Sequence, residues 1–185
     1  MHALLLALVL PSAALAGGFS VESVQGGLLT LNGQPVGGGA ELKDGASLHL
    51  TAGKAVLDFE KEGKVLLTGP SDFTVEKRGV NLKTGGLLSV LSKLKGSFEV
   101  STHAAVAAVR GTEFYVEARG ENATYVCICD GKVDVSARDG SGKPVAMKSK
   151  KTHKSLLFSR GGAGLSKKPA KMEGHTDAEI AGLKK

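Results

Sequence analysis

The residues best suited to specific chemistry in this sequence are Cys127 and Cys129, the two cysteines of the chain. They lie in the run TYVCIC, which favours a β-strand, and residues two apart on a strand project from the same face. Two thiolates on one face can bind zinc or copper(I) when histidines complete the ligand set. His153, 24 residues after Cys129, or His103 could supply an imidazole from a neighbouring strand. A metal site at Cys127, Cys129 and His153 is therefore one interpretation of this pair.

Two other interpretations of the cysteine pair stay open. The thiols could pack as small hydrophobic side chains, because free cysteine is among the most buried residue types. An oxidising compartment could instead join them, although cysteines two apart on a strand lie near the upper limit of disulfide Cα separation. The spacing matches no standard zinc pattern, and no Cys-x-x-Cys-His run for covalent haem is present. No function is assigned to the lone histidines His49 and His175.

The segments that would position these residues are predicted to be β-strands. Between residues 19 and 158, short apolar runs alternate with turns that contain many of the 26 glycines, and no 3.6-residue period is sustained. The pattern predicts an all-β domain of many short strands, arranged as a β-roll or a two-sheet sandwich. A hairpin is predicted at residues 55–59 and 64–68, and residues 87–94 are interpreted as a strand rather than two helical turns. Glu113, Tyr115 and Glu117 are predicted to face water.

The two ends of the chain differ from this domain. Residues 1–16 combine an apolar run with an Ala-x-Ala ending, which predicts a cleaved secretory signal and a periplasmic or secreted protein rather than an integral membrane protein. Residues 159–185 are predicted to form a flexible basic tail, because residues 159–174 are rich in Gly, Lys, Ser and Pro. Thr176 and Glu179 have the capping-box spacing of a short terminal helix.

The net charge of +6 is unevenly distributed. Residues 17–142 contain 13 Lys and Arg against 15 Asp and Glu, a net charge of −2, whereas residues 143–185 contain 11 against three, a net charge of +8. The basic end could contact an acidic envelope protein or a cell-wall polymer. Nucleic acid is disfavoured as a partner by the signal sequence and by the scarcity of aromatic residues that could stack on bases.

A further motif, VRGTEF at residues 109–114, is followed by TYV at 124–126 and GKVDV at 131–135. With the strands and turns upstream, this arrangement resembles the FecR domain family over about residues 24–137. The resemblance implies an extracytoplasmic β domain. In the family's best-known members this domain belongs to a membrane protein whose cytoplasmic segment controls a sigma factor. This sequence shows neither an internal membrane helix nor that cytoplasmic segment, so it resembles a stand-alone secreted version.

The motif itself is interpreted as structural. Gly111 would shape the turn that enters the strand beginning at Glu113, and Arg110 would bind nearby carbonyls or Glu113. No nucleophile with a base, no pair of catalytic carboxylates and no nucleotide-binding loop is recognisable in the sequence. We therefore expect a non-catalytic interaction or sensing domain that binds another envelope component. The alternative is a metal-binding or redox-responsive module that uses Cys127 and Cys129 with a histidine.

Overall fold

A computed structural model of the protein describes residues 18–185 apart from 93 and 163. The signal sequence predicted at residues 1–16 lies outside the described residues. Within them the chain forms fourteen strands and one helix. The strands are Phe19–Gln25 (β1), Leu29–Leu31 (β2), Gln34–Val36 (β3), Glu41–Leu42 (β4), Ser47–Leu50 (β5), Lys54–Phe59 (β6), Gly63–Glu76 (β7), Gly79–Leu91 (β8), Phe98–Ser101 (β9), Ala105–Val109 (β10), Glu113–Ala118 (β11), Ala123–Ala137 (β12), Val145–Gly161 (β13) and Gly164–Pro169 (β14), and the helix is Asp177–Leu183 (α1).

Five of the strands close into a small barrel. Strand β8 pairs with β9, β9 with β10, β10 with β12, β12 with β11, and β11 pairs back with β8. Only the β8–β9 pairing in this ring is parallel. The all-β fold class is thus confirmed, as a small five-strand barrel with additional strands.

The additional strands extend the barrel at both ends of the sheet. Strand β7 lies along β8, and its other edge pairs first with β6 and then with β5. Strands β1 and β4 continue beyond β6, and β2 and β3 continue beyond β5. On the opposite side β13 follows β12 and β14 follows β13. The predicted hairpin is confirmed as β6 and the first half of β7, and residues 87–91 lie in β8 as predicted.

Four phenylalanines in contact join the barrel to the additional strands. The ring centroids of Phe19 and Phe59 are 4.8 Å apart, those of Phe59 and Phe98 are 5.1 Å apart, and those of Phe98 and Phe114 are 6.5 Å apart. These side chains come from β1, β6, β9 and β11, and all four are almost fully buried. The first pair is tilted and the other two are edge-to-face, and such aromatic pairs add to the stabilisation that burial gives the main core.

The end of the chain differs from the predicted flexible tail. Strand β13 continues to Gly161, and β14 pairs along it in antiparallel register. Residues 170–185, called the C-terminal segment below, then cross the outer face of the sheet and end in α1. The prediction counted only the apolar residues of the segment itself and did not include the surface on which the segment lies. The open edge of β13 supplies backbone hydrogen bonds to β14, and the sheet supplies an apolar surface for α1.

Helix α1 begins with the capping box that the sequence predicts. The Thr176 side chain accepts a hydrogen bond from the backbone N–H of Glu179, and the Glu179 carboxylate accepts one from the backbone N–H of Thr176. Ile180 and Leu183 are the buried residues of the helix, and they pack on Leu66, Leu88 and Val90 of β7 and β8. The helix therefore covers apolar side chains on the outer face of the sheet.

Shortening Phe98 to alanine should destabilise the whole domain. The substitution removes the ring that contacts three other rings and leaves a cavity, so we expect Phe98→Ala to lower the free energy of unfolding by about 3–5 kcal/mol. Urea denaturation followed by circular dichroism measures this change. Leu28→Ala is the control, because Leu28 is 46% exposed and its loss should change stability by less than about 0.5 kcal/mol. Equal effects of the two substitutions would contradict the assignment of the core.

Candidate metal centre

Strand β12 places the two cysteines on the outer face of the sheet. Val126 and Ile128 point into the main core, whereas Cys127 and Cys129 belong to a separate outer cluster. This cluster consists of Leu66, Leu88, Val90, Tyr115, Tyr125, Cys127, Cys129, Ile180 and Leu183. Both thiols are free, with 0% and 2% of the residue exposed. The alternation of side chains along the strand thus brings both sulfurs to one face, as predicted.

His153 reaches the same face through an irregularity in β13. Ile128 pairs with Lys154 and Asp130 pairs with Lys150, so two extra residues of β13 lie opposite this point of β12. Within the bulge, Lys151 and His153 have φ angles of 55° and 40°. Such positive values are uncommon for residues other than glycine, and bulges often redirect a side chain toward a functional site. His153 Nδ1 lies 3.7 Å from Cys127 Sγ.

The fourth possible ligand is His175, a histidine for which the sequence alone suggested no function. It lies in the C-terminal segment, where its Nε2 is 3.2 Å from Cys129 Sγ. His103, the alternative imidazole, is exposed and is not part of this group.

Three features of the sequence indicate that a segment covers this face of the sheet. The apolar runs TYVCIC and LLSVL suit strands buried on both faces, and the capping box before Ile180 and Leu183 predicts a helix with one apolar side.

The four side chains have the spacing of a tetrahedral metal site. The ligand atoms of Cys127, Cys129, His153 and His175 all lie within 4.8 Å of one another. Zinc binds sulfur at about 2.3 Å and imidazole nitrogen at about 2.0–2.1 Å, so its tetrahedral ligands lie about 3.3–3.8 Å apart. The two cysteine–histidine contacts, at 3.7 and 3.2 Å, already lie close to this range. Small side-chain movements would therefore suffice to bring all four donors around one ion.

Both histidines are oriented by a second hydrogen bond. His153 donates through Nε2 to the Asp177 carboxylate at 2.8 Å, and His175 donates through Nδ1 to the Glu173 carbonyl at 3.0 Å. In a neutral imidazole, each of these bonds leaves the lone pair of the other ring nitrogen directed at a cysteine. Histidines that bind metals usually donate their second N–H to a carboxylate or a backbone carbonyl in this way. The arrangement thus contains the outer contacts of a metal site as well as its four ligands.

The electrostatics of the cluster favour a thiolate at Cys127. The hydrogen bond with Cys129 lowers the pKa of Cys127, and contacts with His175, Ser155 and His153 act in the same direction against the effect of burial. The same hydrogen bond and burial raise the pKa of Cys129. Burial acts to lower the pKa of His153, but its hydrogen bonds with Cys127 and Asp177 raise it. One thiolate is thus stabilised beside three further donors.

Comparison with known proteins identifies the family of this chain. The FecR protein family matches residues 40–134, about half of the chain. The chain belongs to the FecR family. Two solved structures, each described as a candidate anti-sigma factor from Parabacteroides distasonis, are similar to it. The first has 20% identity and a TM-score of 0.41 over 70% of this chain and 58% of that chain, and the second has 18% identity and a TM-score of 0.42 over 78% and 61%.

The chain thus spans about three fifths of the length of these two structures. No curated protein is similar enough to count as a match. The family match ends at residue 134, so it includes Cys127 and Cys129 but neither His153 nor His175. The candidate metal ligands therefore come both from the FecR region of the chain and from the strand and the segment that follow it.

The VRGTEF motif of this FecR domain builds a turn. Gly111 has a φ of 75°, which favours glycine, and the buried Thr112 donates a hydrogen bond through Oγ1 to the Lys132 carbonyl at 3.0 Å. Arg110 is exposed, so Thr112 rather than the arginine binds the neighbouring carbonyl. Glu113 instead forms an ion pair with Lys184 of the C-terminal segment. The motif thereby connects β10 to β11 at one edge of the covered face.

The prediction that Tyr115 faces water was wrong. The side chain lies on the outer face, as its position in the strand requires, but the C-terminal segment leaves it only 4% exposed. The His175 ring stacks on it at 4.9 Å, and burial raises the pKa of its hydroxyl. At Gly174, with a φ of 80°, a Cβ atom would lie 2.4 Å from the Tyr115 hydroxyl oxygen. A glycine is therefore required where the segment crosses this ring.

Thiol titration should distinguish free cysteines from a disulfide. We expect two thiols per chain to react with a chromogenic disulfide reagent after unfolding in guanidinium without reductant, because both cysteines are free. In the folded protein the same reagent should react at least tenfold more slowly, since both side chains are buried. The absence of reactive thiols after unfolding would show instead that the two cysteines are joined.

Proposed function

We propose that this FecR-family chain is a non-catalytic extracytoplasmic sensing domain and that it binds a zinc ion through Cys127, Cys129, His153 and His175. The observation that carries the proposal is the convergence of two thiols and two imidazoles within 4.8 Å, although they come from three separate parts of the sequence. Each histidine is also held by an acceptor at its other nitrogen. Packing of two cysteines as small hydrophobic side chains would require neither feature.

The donor set favours zinc. Two thiolates and two imidazoles in tetrahedral array are typical of structural zinc sites, whereas copper(I) prefers softer sets with more sulfur. Catalytic zinc sites keep one position open for water, but four protein ligands fill the tetrahedral shell. A site with this composition holds an ion and stabilises the structure around it. This argument supports a sensing or structural role rather than catalysis.

The extracytoplasmic location rests on the signal sequence at residues 1–16, which lies outside the described residues. Within the described part of the chain, no helix has the length and hydropathy needed to cross a membrane. N-terminal sequencing of protein purified from the envelope fraction would test both the cleavage and the location.

Metal analysis tests the binding site. The full chain, reduced and stripped by a chelator, should take up one zinc per chain on dialysis, and Cys127→Ser with Cys129→Ser should abolish this uptake. We expect His153→Ala and His175→Ala each to weaken zinc binding at least 100-fold, since each removes one of four ligands. Competition with a chromogenic chelator measures the affinity, and elemental analysis measures the stoichiometry.

His103→Ala is the matched control for these variants. His103 is an exposed histidine that does not belong to the group of four possible ligands, so its removal should leave the stoichiometry and affinity of zinc binding unchanged. Uptake of copper(I) with exclusion of zinc would correct the identity of the ion. Failure of the reduced chain to bind either ion would contradict the proposal. Circular dichroism of each variant checks that the β structure is retained.

A second candidate function is the binding of an acidic envelope protein or cell-wall polymer. The observation in its favour is a basic edge on the fold itself. Lys148 and Lys150 are exposed on the first half of β13, and within the described residues no strand pairs with the edge of this half that faces away from β12. Lys148 also lies opposite Lys132 of β12, and like charges directly opposite one another are destabilising, although Lys132 also lies 3.6 Å from the Asp134 carboxylate. Part of the basic charge of residues 143–185 therefore lies on a strand of the fold.

Charge reversal tests this second candidate. We expect the full chain to recover a partner from solubilised envelope, and recovery should fall at least tenfold for Lys148→Glu with Lys150→Glu. The interaction should also weaken as salt is raised from 50 to 500 mM, because the contact is electrostatic. Lys43→Glu with Lys83→Glu is the matched control, since both lysines are exposed elsewhere on the chain. Equal recovery by both double variants would contradict a role for this edge.

A further inference from the structure

The C-terminal segment supplies part of the metal centre. Of the four ligands, Cys127, Cys129 and His153 belong to β12 and β13, and His175 belongs to the segment. Both second hydrogen-bond partners also come from the segment, namely Asp177 and the Glu173 carbonyl. An ion bound at this centre would therefore connect the segment to the sheet in two ways. His175 of the segment would bind the ion directly, and Asp177 of the segment would orient His153, which also binds it.

The other contacts of the segment are individually weak. Three ion pairs join it to the sheet, Lys54–Glu179 at 2.7 Å, Lys184–Glu113 at 2.6 Å and Arg119–Glu173 at 2.6 Å. Each pair includes a side chain at least 47% exposed, and exposed pairs contribute little to stability. Helix α1 has seven residues, which is too short to be stable in isolation.

The remaining anchors are few. Ile180 and Leu183 are buried, and the Tyr125 hydroxyl oxygen lies 3.0 Å from the Lys171 carbonyl and accepts a hydrogen bond from the Glu173 backbone N–H. Two apolar side chains, one tyrosine, the stacking of His175 on Tyr115 and a backbone hydrogen bond from Ala170 to Ser155 have to offset the entropy lost in ordering sixteen residues, 170–185. A bond between a metal ion and His175 would strongly stabilise the docked form of the segment.

We propose that the metal ion acts as a latch that docks the C-terminal segment on the outer face of the sheet. This inference rests on the proposed metal site and adds its regulation. When zinc binds, His175 is held against β12 and the helix covers the outer cluster. When zinc is absent, the segment undocks in a fraction of molecules and exposes Leu66, Leu88, Val90 and Tyr115. Metal occupancy thus determines whether an apolar surface of the domain is covered.

The latch also provides the route by which the ion enters. Cys127 and Cys129 are buried in the docked form, so an ion reaches them when the segment is displaced. The three ligands on the sheet can capture the ion first, and His175 then closes the shell. Because binding and docking are coupled, zinc strengthens docking by the same factor by which docking tightens zinc binding.

Hydrogen exchange measured by mass spectrometry tests the latch on the full reduced chain. With zinc, we expect the amides of residues 176–185 to exchange at least tenfold more slowly than in the metal-free protein. Peptides from β5 and β2, far along the sheet from the centre, should change by less than twofold. The double variant Cys127→Ser with Cys129→Ser should lack the zinc effect.

Affinity measurements on variants that retain all four ligands give a second test. Ile180→Ala weakens docking and should raise the zinc Kd at least fivefold. Gly182→Ala, at a position with open space for a methyl group, favours the helix and should lower the Kd about threefold. Met172→Ala is the matched control, because Met172 is in the same segment but 41% exposed, and its Kd should be unchanged.

The outcomes separate the latch from the site. If one zinc binds per chain but exchange in residues 176–185 is the same with and without it, the latch is overturned and the metal site stands. If Ile180→Ala and Met172→Ala bind zinc as tightly as the original chain, docking and binding are uncoupled and the latch is again overturned. If no zinc binds to the reduced chain, both proposals are overturned.

Discussion

The shift in register between β12 and β13 is the constraint on which the candidate site depends. At this point two extra residues of β13 lie opposite the Cys129 region of β12. On the edge of β12 away from β13, the strand pairs with β11 before the shift and with β10 after it. The bulge of β13 turns His153 toward Cys127. The change of partner strand and the placement of His153 thus occur at the same point of β12.

A second constraint follows from the composition of β12. Tyr125, Cys127 and Cys129 leave the outer face of this strand almost as apolar as its inner face, and the run Leu87–Leu91 does the same for β8. A sheet with apolar side chains on both faces needs cover on both. The main core covers the inner face, and the C-terminal segment covers the outer one. The metal centre lies at the boundary between the strand and its cover, where polar donors from each can meet.

The sequence predicts the features that depend on neighbouring residues, and it does not predict those that depend on contacts between residues far apart in the chain. Alternation along a strand is enough to place Cys127 and Cys129 on one face, and glycine-bearing turns are enough to indicate the β6–β7 hairpin. His175 was missed because nothing near it in sequence is a ligand, and its partner Cys129 is 46 residues away. The segment around it was assigned to a flexible tail for the same reason. Its own composition is poor in apolar residues, and the stabilising surface belongs to β7, β8 and β12.

The division of the ligands along the chain bears on how the FecR domain is used here. The family match covers residues 40–134 and thus supplies the barrel and the two thiols. Both imidazoles come from the chain beyond it, one from the bulge of β13 and one from the C-terminal segment. An ion at this centre would hold the end of the chain against the strand that carries the thiols. The geometry of the candidate site therefore depends on contact between the FecR barrel and the chain that follows it.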